Sequence, residues 1–465
     1  MTSDKRVAVL GGGISGLSLA WRLRELGVAV DVFEAEQFVG GLAGTVRPED
    51  GAYCLDFGPH FFITQKQEIV ERITDLLGDE VVQFERSAQI YFQGRFLDYP
   101  LSARNVLLHF PIADAVASVA TFGAAQLRRA VERVFGRDGD NLNVREWATR
   151  NFGSHLTRVF FQPYTENFWK LSTDELSADT IPTSTRLNFL KSLKLLLTRR
   201  VSGDAKSLTE RELVLPLRYP PRGYGVIAET VAERVTALGG RIHLGACVTA
   251  LETIESGQHR ITAQSTSGTH QLDADFVVST IPIPGLIKML SPSPPTDVLE
   301  SAARLGYLAM IVLYIVTPDR PLLDTSYVYY LGRPYHRLSD MNKFCADLCP
   351  PGENMLAVEY SCHSHQPIWQ MDTQELMQLS LPGLLEDEVL SREDVKKVFV
   401  VKSASAYPIS YLGYRPHLDK VKAFIYNRPG LALLGRTGEY RYIDSDQCME
   451  RAFALAEDIA RSGVA

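Results

Sequence analysis

The first forty residues combine two apolar runs with a helical pattern between them. Residues 6–10 (RVAVL) are apolar and rich in β-branched side chains, which is typical of a buried parallel strand. Leucines at positions 17, 19, 23 and 26 follow with helical spacing, and Gly27 suits the end of that helix. Residues 29–36 (AVDVFEAE) predict a second strand that ends at Glu34. The chain is therefore predicted to begin with a strand–helix–strand unit.

Farther along the chain, helical and extended patterns alternate. Residues 106–197 are mostly helical, with a polar break at 137–141, and residues 226–238 are helical again. Residues 273–284 predict another buried strand that ends at Thr280, and β-type runs dominate residues 305–401. Because 465 residues exceed the size of one ordinary hydrophobic core, two or three domains are expected.

One apolar stretch is long enough to raise the question of a membrane span. Residues 106–127 are largely apolar, but His109, Pro111 and Asp114 interrupt them. A membrane-spanning helix needs about 20 consecutive, predominantly apolar residues. A helix buried within the protein is therefore the better interpretation of this stretch.

Composition is that of an ordinary globular protein. The chain is 45% hydrophobic and 22% charged, and its net charge of -7 argues against broad nucleic-acid binding. Six scattered cysteines and the lack of a signal peptide before the first strand predict a reduced, cytoplasmic location. A group of cysteines and histidines between 345 and 365 matches no standard zinc spacing, so no metal site is predicted.

Three glycines and one carboxylate have the spacing of a dinucleotide site. Gly11, Gly13 and Gly16 form G-x-G-x-x-G between the first strand and the helix, with Ser15 in the same turn. Gly11 permits a tight turn, Gly13 lets the backbone approach a pyrophosphate, and Gly16 lets helix and strand pack closely. Glu34 would accept hydrogen bonds from a ribose. A glycine-rich turn without a ligand is the alternative, and the motif alone suits FAD and NAD equally.

Further segments resemble one superfamily of FAD-binding proteins. They are Gly40-Gly41 after the second strand, LDFGPHFF with Gly58, Pro59 and His60, FFQPYTENFW at 160–169, and LLGRTGEYRYIDSDQCMERAFALAEDIA at 433–460. The combination resembles the superfamily that holds flavin amine oxidases, protoporphyrinogen oxidases, phytoene desaturases and UDP-galactopyranose mutases, within which the chain looks mutase-like. This resemblance spans nearly the whole chain and implies FAD as the cofactor, with Gly40, Gly41, Gly58 and Pro59 beside it.

The C-terminal motif can also be interpreted from its residues. Residues 431–435 (LALLG) predict a short buried strand that ends at Gly435, and Asp444, Ser445 and Asp446 can cap the helix that follows. A helix N-terminus directed at a flavin would stabilise negative charge on it. A capped helix that only covers the sheet is the alternative. The resemblance implies the flavin-binding role for all four residues.

The resemblance also implies where the substrate binds. In the mutases, the histidine of this turn lies near the flavin, and an arginine and tyrosines matching Arg436 and Tyr442 bind the substrate diphosphate. We therefore expect His60 and Arg436 in the catalytic site. Substrate contacts are expected from Tyr164, Trp169, Arg186, Arg222, Tyr440 and Tyr442. Core packing for the aromatic residues, a structural hydrogen bond for His60, and a FAD or surface partner for Arg436 are the alternatives.

Two departures from the mutases leave the reaction open. The segment TIPTSTRL (180–187) keeps Pro182 but lacks the first arginine of the mutases' R-x-P-x-R, and residues 218–235 are similar to oxidases and desaturases instead. We predict an FAD-dependent oxidoreductase that transfers a hydride between flavin N5 and a small molecule such as a sugar, nucleotide sugar or natural-product intermediate. A mutase-like isomerase that uses reduced FAD on a nucleotide sugar, and a non-catalytic FAD- or lipid-binding protein, are the alternatives.

The expected fold class is α/β, with a Rossmann-type FAD-binding domain, a mixed β-sheet substrate domain and a helical insertion. Residues 1–95, 210–285 and 420–465 are assigned to the FAD-binding domain, 96–209 to the insertion and 286–419 to the substrate domain. The expected partners are a small-molecule substrate that can be phosphorylated and NAD(P)H as reductant. The basic amphipathic pattern at 186–200 favours a solvated helix over contact with an anionic membrane. The oligomeric state stays open.

Overall fold

The secondary structure is that of a computed structural model. It describes residues 5–64, 66–78, 82–84, 87–99, 101, 103–134, 142–181 and 217–461. Pro182, Arg186 and the basic segment 186–200 therefore lie outside the described residues. The strands, in chain order, are β1 (Arg6–Leu10), β2 (Ala29–Phe33), β3 (Thr45–Val46), β4 (Leu55–Asp56), β5 (Val82–Phe84), β6 (Ala88–Phe92), β7 (Arg95–Asp98), β8 (Leu217–Tyr219), β9 (Arg241–His243), β10 (Cys247–Thr253), β11 (His259–Ser265), β12 (Gly268–Ala274), β13 (Phe276–Ser279), β14 (Leu290–Ser291), β15 (Tyr307–Pro318), β16 (Tyr327–Tyr330), β17 (Arg337–Asp340), β18 (Glu353–Cys362), β19 (Lys397–Pro408) and β20 (Leu431–Leu433).

Helices separate these strands. They are α1 (Ile14–Glu25), α2 (Gln67–Leu77), α3 (Ala103–His109), α4 (Ile112–Val134), α5 (Val144–Phe152), α6 (Ser154–Leu156), α7 (Gln162–Trp169), α8 (Val226–Ala237), α9 (Ile283–Met289), α10 (Thr296–Ala303), α11 (Pro367–Gln370), α12 (Thr373–Glu386), α13 (Arg415–Tyr426), α14 (Gly435–Gly438) and α15 (Ser445–Arg461).

A five-stranded parallel sheet, in the order β20–β13–β1–β2–β9, carries the glycine motif. β1 pairs in parallel with β2 on one side and with β13 on the other. The apolar run that predicted β1 is buried on both faces, since Val7, Ala8 and Val9 are all fully buried. The predicted strand–helix–strand unit and the α/β fold class are therefore confirmed.

A seven-stranded mixed sheet, in the order β19–β15–β18–β17–β16–β6–β7, forms the second large layer. The β-type runs at 305–401 supply its five strands from β15 to β19. β6 and β7 join it through a parallel pairing of β6 with β16, so residues 88–98 lie in this sheet on both sides of the boundary drawn at residue 95. The division of the chain into three domains stays a prediction.

The long apolar stretch differs from its prediction. Pro111 separates α3 from α4, because proline has no N–H to continue a helix but tolerates a helix start. Val106 and Phe110 are buried, whereas Ile112 is 85% and Leu127 is 70% exposed. The prediction of a buried helix over 106–127 is therefore wrong for α4. Within the described parts of the chain, no helix combines the length and the apolar character needed to cross a membrane.

One buried carboxylate joins several of these elements. Asp56, at the end of β4, accepts hydrogen bonds from Thr45 Oγ1 at 2.6 Å, the Tyr219 hydroxyl at 2.5 Å and the Tyr224 backbone N–H at 3.1 Å. The Tyr314 hydroxyl of β15 donates to the backbone carbonyl of Asp56 at 2.8 Å. Complete burial raises the pKa of Asp56 to about 6, although these hydrogen bonds oppose the shift.

Replacing Asp56 with asparagine should flatten the pH dependence of stability. The pKa of Asp56 in the folded chain, about 6, lies above its ordinary value, so the folded chain holds the proton more tightly and loses stability as the pH rises from about 4 to 6. The Asp56→Asn variant lacks this titration. Its unfolding free energy relative to the natural chain should change by up to about 3 kcal/mol over that interval, with the natural chain relatively more stable at low pH.

Urea unfolding at pH 4.5 and pH 7 measures this difference. Asp56→Ala serves as the control, because it leaves the Thr45, Tyr219 and Tyr224 donors without their acceptor and should be less stable at both pH values. Parallel stability profiles for the natural chain and the Asp56→Asn variant would contradict the prediction.

Candidate active site

The turn between β1 and α1 leaves no room for a side chain at two of its three motif glycines. Gly11 has a φ of 104°, and a Cβ there would lie 2.3 Å from Thr280 Oγ1. A Cβ at Gly16 would lie 2.1 Å from the Gly11 carbonyl oxygen. At Gly13, in contrast, a Cβ would meet only the Gly40 carbonyl oxygen at 3.7 Å. Gly11 and Gly16 are thus required for packing, and Gly13 keeps the backbone open toward a ligand.

The second glycine pair meets the first motif directly. The Gly40 N–H donates to the Gly12 carbonyl at 2.8 Å, and a Cβ at Gly41, whose φ is 55°, would lie 3.4 Å from Gly13 Cα. Glu34, just after β2, accepts hydrogen bonds from the N–H groups of Gly12 at 2.7 Å and Glu36 at 2.9 Å. A carboxylate has about four acceptor positions, so two remain for ribose hydroxyls.

Two helix N-termini converge beside these glycines. Among the described residues, no side chain caps α1 and no acidic residue lies in its first turn, so its first N–H groups can bind an anion. Ser15 of α1 hydrogen-bonds Cys448 in the first turn of α15. A Cβ at Gly435, whose φ is 84°, would lie 2.5 Å from Ser15 Oγ. The C-terminal motif therefore lies against the first turn of α1.

The predicted capping residues lie where α15 begins. Ser445 is its first residue, and the carbonyl of Asp444 accepts the Cys448 N–H at 2.9 Å. Asp446 is buried in the first turn. Ser445 also hydrogen-bonds Tyr224, so the start of the helix touches the loop before α8.

His60 lies between this helix start and two arginines. Its ring stacks on Tyr224 with a centroid distance of 5.2 Å. Burial and the charges of Arg436 and Arg337 lower the pKa of His60 to about 3, so the imidazole is neutral at physiological pH. Within the described residues, its Nδ1 atom is buried without a hydrogen-bond partner. Gly58, with a φ of 111°, brings the same turn close to the Glu359 carboxylate, which would lie 3.3 Å from a Cβ at that glycine.

Arginines and tyrosines from distant segments meet beside His60. We call the following residues the arginine–tyrosine cluster: Arg337, Arg436, Tyr164, Tyr329, Tyr407 and Tyr442. Arg436 lies over the rings of Tyr407 and Tyr442, at 5.2 Å and 5.1 Å from their centroids. Tyr164 packs edge-on against Tyr329 at 5.7 Å.

The two arginines of the cluster differ in how their charges are balanced. Arg337 lies directly opposite Glu359 in the β17–β18 pairing and forms a bidentate ion pair with it, one contact being 2.7 Å. Arg436 donates through Nε to the Ile443 carbonyl at 2.9 Å, and the carboxylate of Asp444 lies 3.7 Å from it. Arg436 thus keeps donors that are not committed to a close carboxylate within the described structure.

Three predicted substrate residues are not members of the arginine–tyrosine cluster. Trp169 is buried in a hydrophobic cluster with Leu176 and Leu308, and its ring packs edge-on against Tyr407 at 6.3 Å. Tyr440 is 4% exposed, and its hydroxyl lies 2.6 Å from the Ile409 carbonyl, as a core residue would. Arg222 is exposed beside Gly51. Core packing thus describes Trp169 and Tyr440, and a substrate role for these three residues stays a prediction. Arg186 lies outside the described residues.

Several residues of the site gave no sequence signal. Arg337, Glu359, Tyr329 and Tyr407 lie in β-type runs that read as ordinary strands. Only the register of β17 against β18 reveals that Arg337 and Glu359 form a pair. Among the described residues, no group of three histidine, cysteine or acidic side chains is arranged to hold a metal ion.

The open glycine cradle, the uncapped α1, Glu34 and the start of α15 suit a dinucleotide that carries a flavin. The profile of the family described as flavin containing amine oxidoreductase matches residues 14–419. The chain belongs to this family. FAD is its cofactor, and it is a flavin-dependent enzyme, so the expectations for family and cofactor are confirmed.

Known proteins resemble the chain at low identity, one of them over nearly its whole length. A protein described as a probable UDP-galactopyranose mutase of Klebsiella pneumoniae is 22% identical over 466 residues, which cover 99% of this chain and 96% of that protein. Coproporphyrinogen III oxidase of Propionibacterium freudenreichii is 24% identical over 214 residues, which cover 45% of this chain and only 40% of that protein.

Solved structures share the fold. Reduced UDP-galactopyranose mutase superposes with a TM-score of 0.81 at 19% identity, over 99% of this chain and 94% of that one. Putrescine oxidase superposes with a TM-score of 0.68 at 16% identity, over 98% of this chain and 99% of that one. A mutase and an oxidase thus share this architecture.

Replacing Glu34 with glutamine should weaken FAD binding. The amide can accept only one of the two backbone hydrogen bonds that the carboxylate accepts, and it loses the charge that favours ribose hydroxyls. Hydrogen bonds to a charged group contribute about 1.5–3 kcal/mol, so the Kd for FAD should rise roughly 10- to 100-fold. The Kd is measured by titrating the apoprotein with FAD and monitoring flavin fluorescence.

Glu36→Gln is the matched control, because the same change is made two residues away on an exposed side chain. Equal FAD affinity for the two variants would show that Glu34 does not contact the cofactor.

Proposed function

We propose that this protein is an FAD-dependent enzyme that acts on a phosphorylated small molecule, and that a nucleotide sugar is its substrate class. The observation that carries this proposal is Arg436, a largely buried guanidinium between two tyrosine rings, next to the cofactor site. Its side chain is 18% exposed, and its ion pair with Asp444 is long at 3.7 Å. A guanidinium in this state favours a bidentate oxyanion such as a phosphate.

Guanidinium donors that remain available in the cluster favour an anion. Both arginines have a carboxylate partner, but Glu359 contacts Arg337 directly, whereas Asp444 lies 3.7 Å from Arg436. His60 adds no positive charge, because its pKa of about 3 keeps it neutral. The formal charges therefore sum to about zero. An incoming phosphate would compete with Asp444 for the remaining N–H groups of Arg436, and the hydroxyls of Tyr442 and Tyr407 could donate to its oxygens.

Aromatic surfaces suit the rest of such a substrate. Tyr164 is half-buried and packs edge-on against Tyr329, which leaves ring surface that a planar base or a sugar could contact. The long match to a probable UDP-galactopyranose mutase supports a nucleotide sugar. The lost first arginine of the mutase R-x-P-x-R pattern argues that the substrate is not UDP-galactopyranose itself.

The chain's own residues would bind the substrate and orient it beside the cofactor. When bound, FAD would supply a ring nitrogen that can react with a substrate carbon or exchange a hydride with it, depending on the redox state of the flavin. Arg436 would hold the phosphate, and the cluster tyrosines would fix the sugar or base beside the cofactor. His60 would present its neutral Nδ1 atom as a hydrogen-bond partner, not as a general acid, because protonation requires a pH near 3. Isomerisation without net redox change is the first candidate reaction, and the long match to a probable UDP-galactopyranose mutase supports it.

Net hydride transfer is the second candidate reaction. It is favoured by the family match over residues 14–419, since that family is named for amine oxidoreductases. A neutral histidine and no identified general base are compatible with it, because the flavin itself can accept a hydride. NAD(P)H is the proposed reductant for the isomerase and for hydride transfer from the flavin to the substrate. A substrate that gives its hydride to the oxidised flavin is itself the reductant.

An anaerobic visible spectrum separates the two candidates. The purified, FAD-loaded protein is titrated with NADPH or NADH, and the reduced protein is then mixed with UDP-glucose, UDP-galactose and other nucleotide sugars. An isomerase should stay reduced while the sugar ring or configuration changes. A reduced oxidoreductase should be reoxidised in stoichiometric amounts by a substrate that accepts the hydride, and the oxidised protein should be reduced by a substrate that donates it. If no nucleotide sugar or UDP perturbs the flavin spectrum, the proposed substrate class is wrong.

Replacing Arg436 with alanine should weaken UDP binding while FAD stays bound. Loss of a bidentate contact to a phosphate should raise the Kd for UDP at least about 10-fold. The Kd of the Arg436→Lys variant should lie between those of the natural chain and the alanine variant, because lysine keeps the charge but lacks the planar guanidinium. UDP binding is measured by calorimetry, and bound FAD by absorbance at its visible band.

Arg441→Ala is the matched control, because Arg441 is exposed five residues farther along the same segment. Loss of FAD from the Arg436→Ala variant would assign Arg436 to the cofactor. An unchanged Kd for UDP would remove it from the substrate site.

A further inference from the structure

One face of α4 is both apolar and exposed. Eleven positions between Ile112 and Val131 are exposed, and all but Arg128 are aliphatic residues or glycine. We call this face the α4 stripe. Its largest exposed side chains are Ile112 at 85%, Val116 at 63%, Val119 at 55%, Leu127 at 70% and Val131 at 48%. Single exposed apolar residues are common, but a continuous row about 30 Å long is not.

The polar face of the same helix is turned toward the protein. Asp114 pairs with His155 Nε2 at 3.0 Å, Gln126 donates to the Asn151 carbonyl at 2.9 Å, and Glu132 accepts from Arg150 at 2.6 Å. These contacts fix the rotation of α4, so the stripe cannot turn inward without breaking all three. The usual amphipathic arrangement is reversed, which is expected where another surface covers the apolar side.

We propose that a second copy of this chain docks on the α4 stripe. The stripe and the neighbouring Leu108, itself 60% exposed, offer on the order of 700 Å² of surface, against about 800 Å² per partner in a standard interface. Gly123 and Ala120 at its centre are small, so two helices could approach closely. The area therefore lies within the range of about 600–1,000 Å² per partner that standard interfaces bury.

The stripe is self-complementary under a two-fold axis. If two α4 helices pair antiparallel about their midpoint, Ile112 meets the partner's Val131, and Val116 meets the partner's Leu127. Every such contact is apolar, as an isologous interface requires. A lipid surface fits less well, because interfacial helices carry aromatic anchors and several basic residues. The exposed positions of the stripe hold no aromatic residue and one arginine.

Sedimentation equilibrium of the full, FAD-loaded chain tests the proposal. The natural chain should be a dimer at micromolar concentration. In the Val116→Glu/Leu127→Glu variant, carboxylates face each other across the axis, so the dimer Kd should rise at least about 100-fold. Leu244→Glu/Leu412→Glu is the control, since it adds the same charges at exposed apolar positions outside the stripe and should dimerise like the natural chain. The flavin spectrum checks that each variant is folded.

A charge-swap mixture tests direct contact. Val116→Lys/Leu127→Lys and Val116→Glu/Leu127→Glu chains should each be monomeric, and an equal mixture should recover dimers, because position 116 of one copy faces position 127 of the other. A natural chain that is monomeric at about 100 μM would overturn the proposal. Undiminished dimerisation of the glutamate variant would do the same. So would a monomer that floats with phosphatidylglycerol vesicles and loses this binding in the glutamate variant.

Discussion

The buried carboxylate of Asp56 is the constraint on which the site depends. It holds Thr45, Tyr219 and the Tyr224 backbone at once, and the hydroxyl of Tyr314 fastens its carbonyl to the large sheet. Thr45 in turn accepts the Gly225 N–H at 2.7 Å, which secures the start of α8. Four residues after Asp56, the chain reaches His60, whose ring stacks on Tyr224. Asp56 thus fixes the turn of His60 relative to β8, the start of α8 and the seven-stranded sheet.

Charge balance in the site follows from this placement. The turn of His60 lies against Arg337 and Arg436, and their charges, after burial, keep the imidazole neutral. Glu359 contacts Arg337 directly across two strands, whereas the carboxylate partner of Arg436, Asp444, lies 3.7 Å away. A site arranged in this way attracts an oxyanion more readily than it donates a proton. The chemistry itself belongs to the flavin, and the chain contributes orientation and electrostatic stabilisation.

In the helical region, an apolar pattern did not predict which helix face is buried. The stretch 106–127 is apolar enough to predict burial, and that interpretation holds for Val106 and Phe110. It fails for α4, because Asp114, Gln126 and Glu132 find polar partners on α5 and on the residues next to it, and these contacts decide which side faces inward. A hydrophobic pattern predicts that a helix face will be covered. It does not indicate whether the covering surface belongs to the same chain or to another molecule.

The sequence by itself determined the parallel-sheet unit, the glycine cradle, Glu34 and the helix that begins at Ser445. These features depend on local periodicity and on glycines at fixed spacing, which short segments carry without help from distant ones. Only the tertiary structure decided that Arg337 and Glu359 pair beside His60, that Tyr407 lies over Arg436, and that Trp169 and Tyr440 belong to the core. Those outcomes depend on strand register and on contacts between segments hundreds of residues apart, and no local pattern encodes them.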